Sequence, residues 1–246
     1  MKKIVMSLLA LASLLCGSQA FAHVSYRDLS VLSPFQRSVT SNVGWADAAE
    51  ADWGDSHHGA FFSFTLATDQ QVKIDVTGLG QGTYANLTAA GLPNASTPTY
   101  STVAALTDVG FSLYKGLLPA STYEGATNSA TGELWIDFAA QGKQGGWNAN
   151  GDMTLYNNSG QSGTLEFLQA VNNSLTNAES LTIFLTAGSY TITAGGAIDP
   201  ASGAHSGTYG IQASMAPVPV PGAVWLFGSA MAGLIGCGRR KAVVAA

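Results

Sequence analysis

The strongest constraint on the fold is a pair of neighbouring segments in which apolar and polar residues alternate. The segments are AFFSFTLA at residues 60–67 and QVKIDVTG at residues 71–78. Alternation with a period of two is typical of a β-strand that buries one face. Because only Thr68, Asp69 and Gln70 separate the two segments, the sequence predicts that they form an antiparallel hairpin.

Further segments show the same strand character, and turn residues such as Asn158-Ser159-Gly160 separate them. No segment between residues 23 and 216 has the periodicity of an amphipathic helix, and no repeat of fixed period is visible. The sequence therefore predicts an all-β domain over residues 23–216, an antiparallel two-sheet sandwich of the jelly-roll type. The additional predicted strands are residues 110–116, 132–139, 152–158, 163–171, 180–186, 189–195 and 207–214.

The charge distribution limits the classes of partner. Only 10% of the residues are charged, against about 25% in an average soluble domain. Residues 23–216 hold fifteen acidic and five basic side chains, a net charge of −10. Such a domain has no basic stripe for nucleic acid, and cations are the better expected partners.

The N-terminal residues 1–22 have the pattern of a cleaved signal peptide. Lys2 and Lys3 precede an apolar run, and Ala20-Phe21-Ala22 forms a small-x-small cleavage site for signal peptidase. Cys16 and Cys237 are the two cysteines of the chain, and both lie in the terminal segments. The mature domain is therefore expected to have no disulfide and no thiolate ligand.

Residues 217–246 have the pattern of a short membrane anchor. A Pro-containing hinge precedes an apolar run at residues 223–236, and Arg239, Arg240 and Lys241 follow it. As a helix the run would be about 21 Å long, shorter than the roughly 30 Å hydrocarbon core. The basic cluster predicts that its end stays in the cytoplasm.

The stretch VPVPGAVWLFGSAMAGLIGCGRRK at residues 218–241 resembles the PEP-CTERM sorting signal of Gram-negative bacteria. Val220 stands where the name-giving glutamate of that signal would be. The resemblance implies that an exosortase processes the chain after a transient stay in the inner membrane. It also implies delivery to the cell surface or outside the cell, commonly in bacteria that make exopolysaccharide. The positions taken for sorting and processing are Pro219, Val220, Pro221, Trp225, Arg239 and Arg240.

Two oxygen-rich segments are candidate calcium sites. Residues 45–59 (WADAAEADWGDSHHG) and residues 146–153 (GWNANGDM) combine carboxylates or amides with glycine. Calcium takes six to eight oxygen ligands, although the spacing is not that of an EF-hand, and a solvated acidic loop is the simpler alternative. The first segment supplies Asp47, Glu50, Asp52 and Asp55, and the second supplies Asn148, Asn150 and Asp152.

Histidines suggest copper as a second possible metal. A Cu(I) site formed by His57 or His58 with His205, beside Trp53, would resemble the surface copper-scavenging proteins of some methane oxidisers. Adjacent His57 and His58 cannot both face one ligand in an extended chain, because side chains alternate. His23, the first residue after cleavage, would allow a histidine brace like that of lytic polysaccharide monooxygenases. Loop histidines without a ligand are the alternative.

Sugar binding is the third possibility for the domain. Trp147, in a Gly- and Asn-rich loop, is the best candidate for stacking on a sugar ring. No hydrolase motif is present, and a carboxylate pair among Glu124, Glu133, Asp137 and Glu166 is the alternative for glycoside hydrolysis. Residues 53–66 resemble an opening strand of pre-peptidase C-terminal domains, and residues 111–119 resemble a stretch of other surface proteins with this tail.

Taken together, the sequence predicts an exported, non-enzymatic surface or matrix protein that works with extracellular polysaccharide and requires no cofactor. A surface protein that binds copper or calcium is the alternative prediction. A polysaccharide-active enzyme is the third.

Overall fold

The computed structural model describes residues 24–39, 44–45, 53–56, 58–88, 91, 99–105, 108–123, 125–128, 130–134, 146–172, 176–197, 207–219 and 230–235. Within these residues the fold is built almost entirely of β-strands. In chain order they are β1 Tyr26–Asp28, β2 Phe35–Val39, β3 Trp53–Asp55, β4 Ala60–Leu66, β5 Gln70–Gly78, β6 Gly82–Ala85, β7 Tyr100–Val103, β8 Val109–Lys115, β9 Gly146–Asn148, β10 Met153–Tyr156, β11 Ser162–Val171, β12 Ala178–Leu185, β13 Gly188–Gly196 and β14 Tyr209–Pro217.

Two large sheets form the body of the domain. One has six strands in the order β1-β4-β13-β8-β11-β10, and the other has four in the order β12-β5-β14-β2. Neighbouring strands in both sheets are antiparallel, except that β1 pairs in parallel with β4. Two ribbons, β3-β9 and β6-β7, complete the described strands. The predicted all-β, antiparallel sandwich is therefore confirmed.

The main core lies between the two large sheets, where the alternating apolar residues meet. Phe62 and Phe64 of β4 are fully buried, and so are Ile74 and Val76 of β5. The ring of Phe64 stacks on Tyr190 of β13 with centroids 5.2 Å apart. Burial of such side chains contributes roughly 1.5–3 kcal/mol each, so these strands supply much of the stability of the sandwich.

The predicted hairpin of residues 60–78 is wrong. β4 pairs with β1 and β13 in the six-stranded sheet, whereas β5 pairs with β12 and β14 in the four-stranded sheet. The turn between them crosses from one sheet to the other, so their apolar faces meet across the core instead of side by side. A second crossover, between β12 and β13, lies beside it, because the N–H of Ala187 donates to Asp69 Oδ1 at 2.8 Å.

The other predicted strands correspond to β8, β10, β11, β12, β13 and β14. A strand was also predicted at residues 132–139. Of its described residues, Leu134 forms an isolated bridge with Thr127 and not a strand, and residues 135–139 lie outside the described part. The remaining strands have three to five residues each and were not predicted from the sequence: β1, β2, β3, β6, β7 and β9.

Candidate functional site

The β3-β9 ribbon joins the two segments that the sequence marked separately as calcium candidates. Trp53 pairs with Asn148, Gly54 with Trp147, and Asp55 with Gly146. One strand therefore belongs to the acidic stretch at residues 45–59, and the other begins the Asn- and Asp-containing stretch at residues 146–153. The fold brings the backbones of these two stretches together at a single place.

A second hydrophobic cluster connects the ribbon region to the six-stranded sheet. It contains Phe61 of β4, Tyr114 of β8 and Leu165 of β11, together with Trp45 and Ala149 from the two candidate stretches. Phe61 is adjacent to Phe62, which belongs to the main core. Because successive side chains of a strand point to opposite faces, this cluster covers the outer face of the sheet.

Trp45 fastens the start of the acidic stretch to this outer face. Its indole Nε1 donates to the buried Ser112 Oγ at 2.9 Å, and its backbone N–H donates to the carbonyl of Gly196 at 3.2 Å. Two glycines of the sheet leave room for it. A Cβ on Gly110 would lie 2.4 Å from the Trp45 ring, and one on Gly195 would lie 2.3 Å from the Trp45 nitrogen. Because Gly110 and Gly195 have no side chain, Trp45 can lie directly against the sheet.

The acidic stretch returns to the place where it began. A Cβ on Gly44 would lie 2.7 Å from the carbonyl carbon of His58. The backbones at Gly44 and His58 are therefore in contact. The four candidate carboxylates all lie in the sequence between Gly44 and His58.

The second candidate stretch is held by two hydroxyl groups of β8. Tyr114 donates from its phenol to the carbonyl of Asn148 at 2.5 Å, and Ser112 Oγ donates to the carbonyl of Ala149. Burial raises the pKa of Tyr114 to about 12, so the phenol stays protonated and remains a donor. Asn148 Oδ1 accepts from the N–H of Asn150 at 2.9 Å, which closes a tight Asx turn.

The described candidate ligands do not form a metal site by themselves. Asp152 Oδ1 accepts from the N–H of Phe167 at 2.6 Å, which ties the stretch to β11. His58 is half-buried. Within the described part of the chain no three His, Cys, Asp or Glu side chains lie close enough together to hold a metal ion. Asp47, Glu50, Asp52, His57 and His205 lie outside the described residues, as do the side chains of Asp55 and Trp147.

The enzymatic alternative gains no pair of facing carboxylates from the described residues. Glu166 lies on β11 opposite Lys115 of β8, and Glu133 lies in an exposed turn beside Thr131. The remaining members, Glu124 and Asp137, lie outside the described residues.

The segment that the sequence predicts to direct sorting follows directly on the last strand of the sandwich. Strand β14 runs to Pro217, and the N–H of Val218 still donates to the carbonyl of Gln71 at 2.8 Å. Residues 230–235 are helical and exposed, whereas Val220, Pro221, Trp225, Arg239 and Arg240 lie outside the described residues. None of the described helical residues belongs to a helix long and apolar enough to cross a membrane.

Sequence reasoning missed the groups that fix the two candidate stretches. Trp45, Ser112 and Tyr114 act through contacts with residues that are distant in sequence. The local signal in the sequence was a glycine at one end of each of two predicted strands, Gly110 and Gly195, because glycine in a strand often marks a close approach of another backbone.

No protein-family model and no curated protein matches this sequence. Several solved structures are similar to the structure at low sequence identity. CorA of Methylomicrobium album BG8, a surface-associated copper-binding protein important in copper acquisition, has 11% identity and a TM-score of 0.48, covering 80% of this chain and 99% of CorA. MopE, a secreted protein of Methylococcus capsulatus in which an oxidized tryptophan facilitates copper binding, has 11% identity and a TM-score of 0.37, covering 78% and 87%.

A third similar structure is the pre-peptidase C-terminal domain of a collagenase from Bacillus anthracis. It has 9% identity and a TM-score of 0.30, covering 78% of this chain and 93% of that domain.

Proposed function

We propose that this chain is an exported, non-enzymatic β-sandwich protein that an exosortase sorts to the cell surface, where it associates with extracellular polysaccharide. The observation that carries the proposal is the direct passage from β14 into the motif at residues 218–241. Within the described residues, the last backbone hydrogen bond of the body runs from the N–H of Val218 to the carbonyl of Gln71, at the first residue of that motif. A folded body with a processing segment attached at its end is the arrangement that a sorting substrate needs.

Deletion of residues 220–246 in the producing bacterium tests the sorting role. We expect the shortened protein to be exported and folded but lost from the surface fraction. Deletion of residues 242–246 alone is the matched control, because it leaves the basic cluster in place. Surface retention of the longer deletion, measured by fractionation and immunoblotting, would contradict the sorting proposal.

Surface binding of copper or calcium is a second candidate function. The observation that favours it is the β3-β9 pairing, since it joins two stretches rich in oxygen and nitrogen ligands. Carboxylates and amides of Asp55 and Asn148 suit calcium, whereas His57, His58 and His205 suit copper.

Metal analysis of the exported protein by mass spectrometry tests this candidate. About one copper per chain, lost in a variant with His57, His58 and His205 changed to alanine, would support copper binding. Calcium lost in Asp52→Asn and Asp55→Asn variants would support calcium binding instead. A metal-free chain that takes up neither ion in a titration would exclude both.

A further inference from the structure

A cavity lies at one open edge of the sandwich, between the two large sheets. Its volume is about 190 Å³. Arg27 belongs to β1, the edge strand of the six-stranded sheet, and Arg37 belongs to β2, the edge strand of the four-stranded sheet. Both arginines line the cavity, so each sheet contributes one cation.

The two guanidinium groups are held close together by one serine. Arg37 Nη1 donates to the carbonyl of Ser25 at 2.9 Å. Arg27 Nη1 donates to Ser25 Oγ at 3.0 Å and to the carbonyl of Tyr26 at 3.3 Å. A guanidinium has five N–H donors. The Nε and Nη2 donors of both arginines make no hydrogen bond to the described part of the chain.

The positive charge of this pair is not neutralised by the described residues. Neither arginine makes a salt bridge there, although Lys73 does so with Asp75. Burial and the neighbouring charge of Arg27 lower the pKa of Arg37 to about 10, so both groups remain charged at neutral pH. Residues 23–216 have fifteen acidic side chains and only these two arginines. Placing both together, half-buried and unpaired, creates a local site for an anion.

The rest of the cavity wall suits a ring with hydroxyl groups. Gln36 and Asn86 contribute amides, and Tyr84 contributes an aromatic ring. The Tyr84 phenol is fixed by donation to the carbonyl of Gly80 at 3.0 Å. The Asn86 amide is fixed at both ends, because Oδ1 accepts from Ser101 Oγ at 2.9 Å and Nδ2 donates to Thr99 Oγ1 at 3.3 Å. Leu79 and Leu87 add apolar surface. Amides, an aromatic ring and some apolar surface together match the mixed character of a sugar.

We propose that this cavity binds the carboxylate-bearing unit of an acidic polysaccharide. The paired guanidinium groups would hold the carboxylate through their Nε and Nη2 donors, because the planar fork matches a carboxylate in two-point contact. The amides and Tyr84 would contact the ring. This inference deepens the proposed polysaccharide association and rests on it for the ligand's presence outside the cell.

Titration of the purified full-length chain with two matched sugars tests the proposal. Methyl glucuronide and methyl glucoside differ only in the carboxylate. We expect calorimetry to show that the glucuronide binds at least about tenfold more tightly, with an affinity that falls as salt is added. Acetate and sulfate are the controls for a simple anion. Equal binding of either anion, or no binding of the glucuronide, would overturn the proposal.

Three variants locate the site. Arg27→Gln and Arg37→Gln should each weaken glucuronide binding by about tenfold or more, whereas Lys73→Gln removes an exposed cation elsewhere and should leave binding unchanged. Charged residues also protect sheet edges from association. If the arginines had only that role, their variants would aggregate and the wild-type chain would show no preference for the glucuronide.

A measurement on the wild-type chain avoids any dependence on how the variants fold. Glucuronide should shift the backbone amide resonances of residues 82–87 and leave those of β9 and β10 unchanged. Shifts confined to the β3-β9 ribbon would overturn the assignment to this cavity. Binding by the purified chain is independent of where the cell places it, so a failed sorting experiment and a failed titration are separate results.

Discussion

At the scale of single residues, the position of Trp45 against the sheet depends on the absence of a side chain at Gly110. A methyl group there would lie 2.4 Å from the indole ring, and the ring is held by its bond to Ser112. We expect Gly110→Ala to destabilise the protein by about 1–3 kcal/mol through overpacking. Gly80→Ala is the control, since nothing lies within 4 Å of a Cβ at that position. Equal thermal stability of the two variants would refute this account.

Asp108 is a buried carboxyl group whose Oδ1 has no hydrogen-bond partner within the described residues. Burial raises its pKa, and the negative charge of Glu179 raises it further, against a hydrogen bond from the Val109 N–H. The folded state therefore holds this proton more tightly than the unfolded chain does. The stabilisation from protonated Asp108 is present below the ordinary aspartate pKa and is lost as pH rises through the raised value.

We expect Asp108→Asn to be more stable than wild type at neutral pH, by about 1 kcal/mol, and to lose this advantage in acid.

Asp75 should behave oppositely. Burial alone would raise its pKa, but bonds from Lys73 and Ser180 lower it overall. Asp75→Asn should therefore cost stability at neutral pH and converge with wild type in acid. Thermal unfolding followed from neutral pH into acid measures the stability of both variants. If the melting temperatures of Asp108→Asn and wild type changed in parallel with pH, the raised pKa assigned to Asp108 would be contradicted.

At the scale of elements, two neighbouring crossovers join the sheets at one end of the sandwich. Asp69 connects them by accepting the N–H of Ala187. We expect Asp69→Ala to lower the free energy of unfolding by about 0.5–1.5 kcal/mol. Asp69→Asn retains an acceptor oxygen and should lose less. Urea titration compares the two, and an equal loss would show that the hydrogen bond is not what matters.

The same scale shows what could be predicted from the sequence. Long strands such as β5 and β12 were predictable because seven or more residues display the alternation clearly. β1, β3 and β9 have three residues each, too few to show a period. Pairing partners were hidden as well: residues 60–78 look like a hairpin because both strands alternate, and nothing local reveals that they belong to different sheets.

The candidate sites illustrate the same limit. The acidic and amide-rich stretches were each visible, but the pairing of Trp53 with Asn148 is a long-range contact that no local pattern encodes. Arg27 and Arg37 drew no attention in the sequence, because each is an ordinary strand residue. They line one cavity only because the fold brings two sheet edges together.

At the scale of the whole molecule, the sandwich should fold without residues 220–246. Within the described residues, its last strand ends at Pro217 and its last backbone hydrogen bond is made by Val218. We expect a chain ending at Pro219 to have the melting temperature of the full-length protein within experimental error. A chain ending at Gly207 should not fold, since it lacks β14, which lies between β5 and β2. Unfolding of the longer chain, followed by circular dichroism, would be inconsistent with an independent body.

The position of β14 in the sequence also limits when the four-stranded sheet can form. β2, near the start, finds its described strand partner only in β14, where Val39 meets Tyr209. When the chain emerges from its N-terminus, the four-stranded sheet cannot be completed until β14, its last strand in sequence, is present. Long-range pairing of this kind is slow to form. Completion of the four-stranded sheet is therefore expected to be a late step of folding, because it needs both β2 near the start of the described residues and β14 near their end.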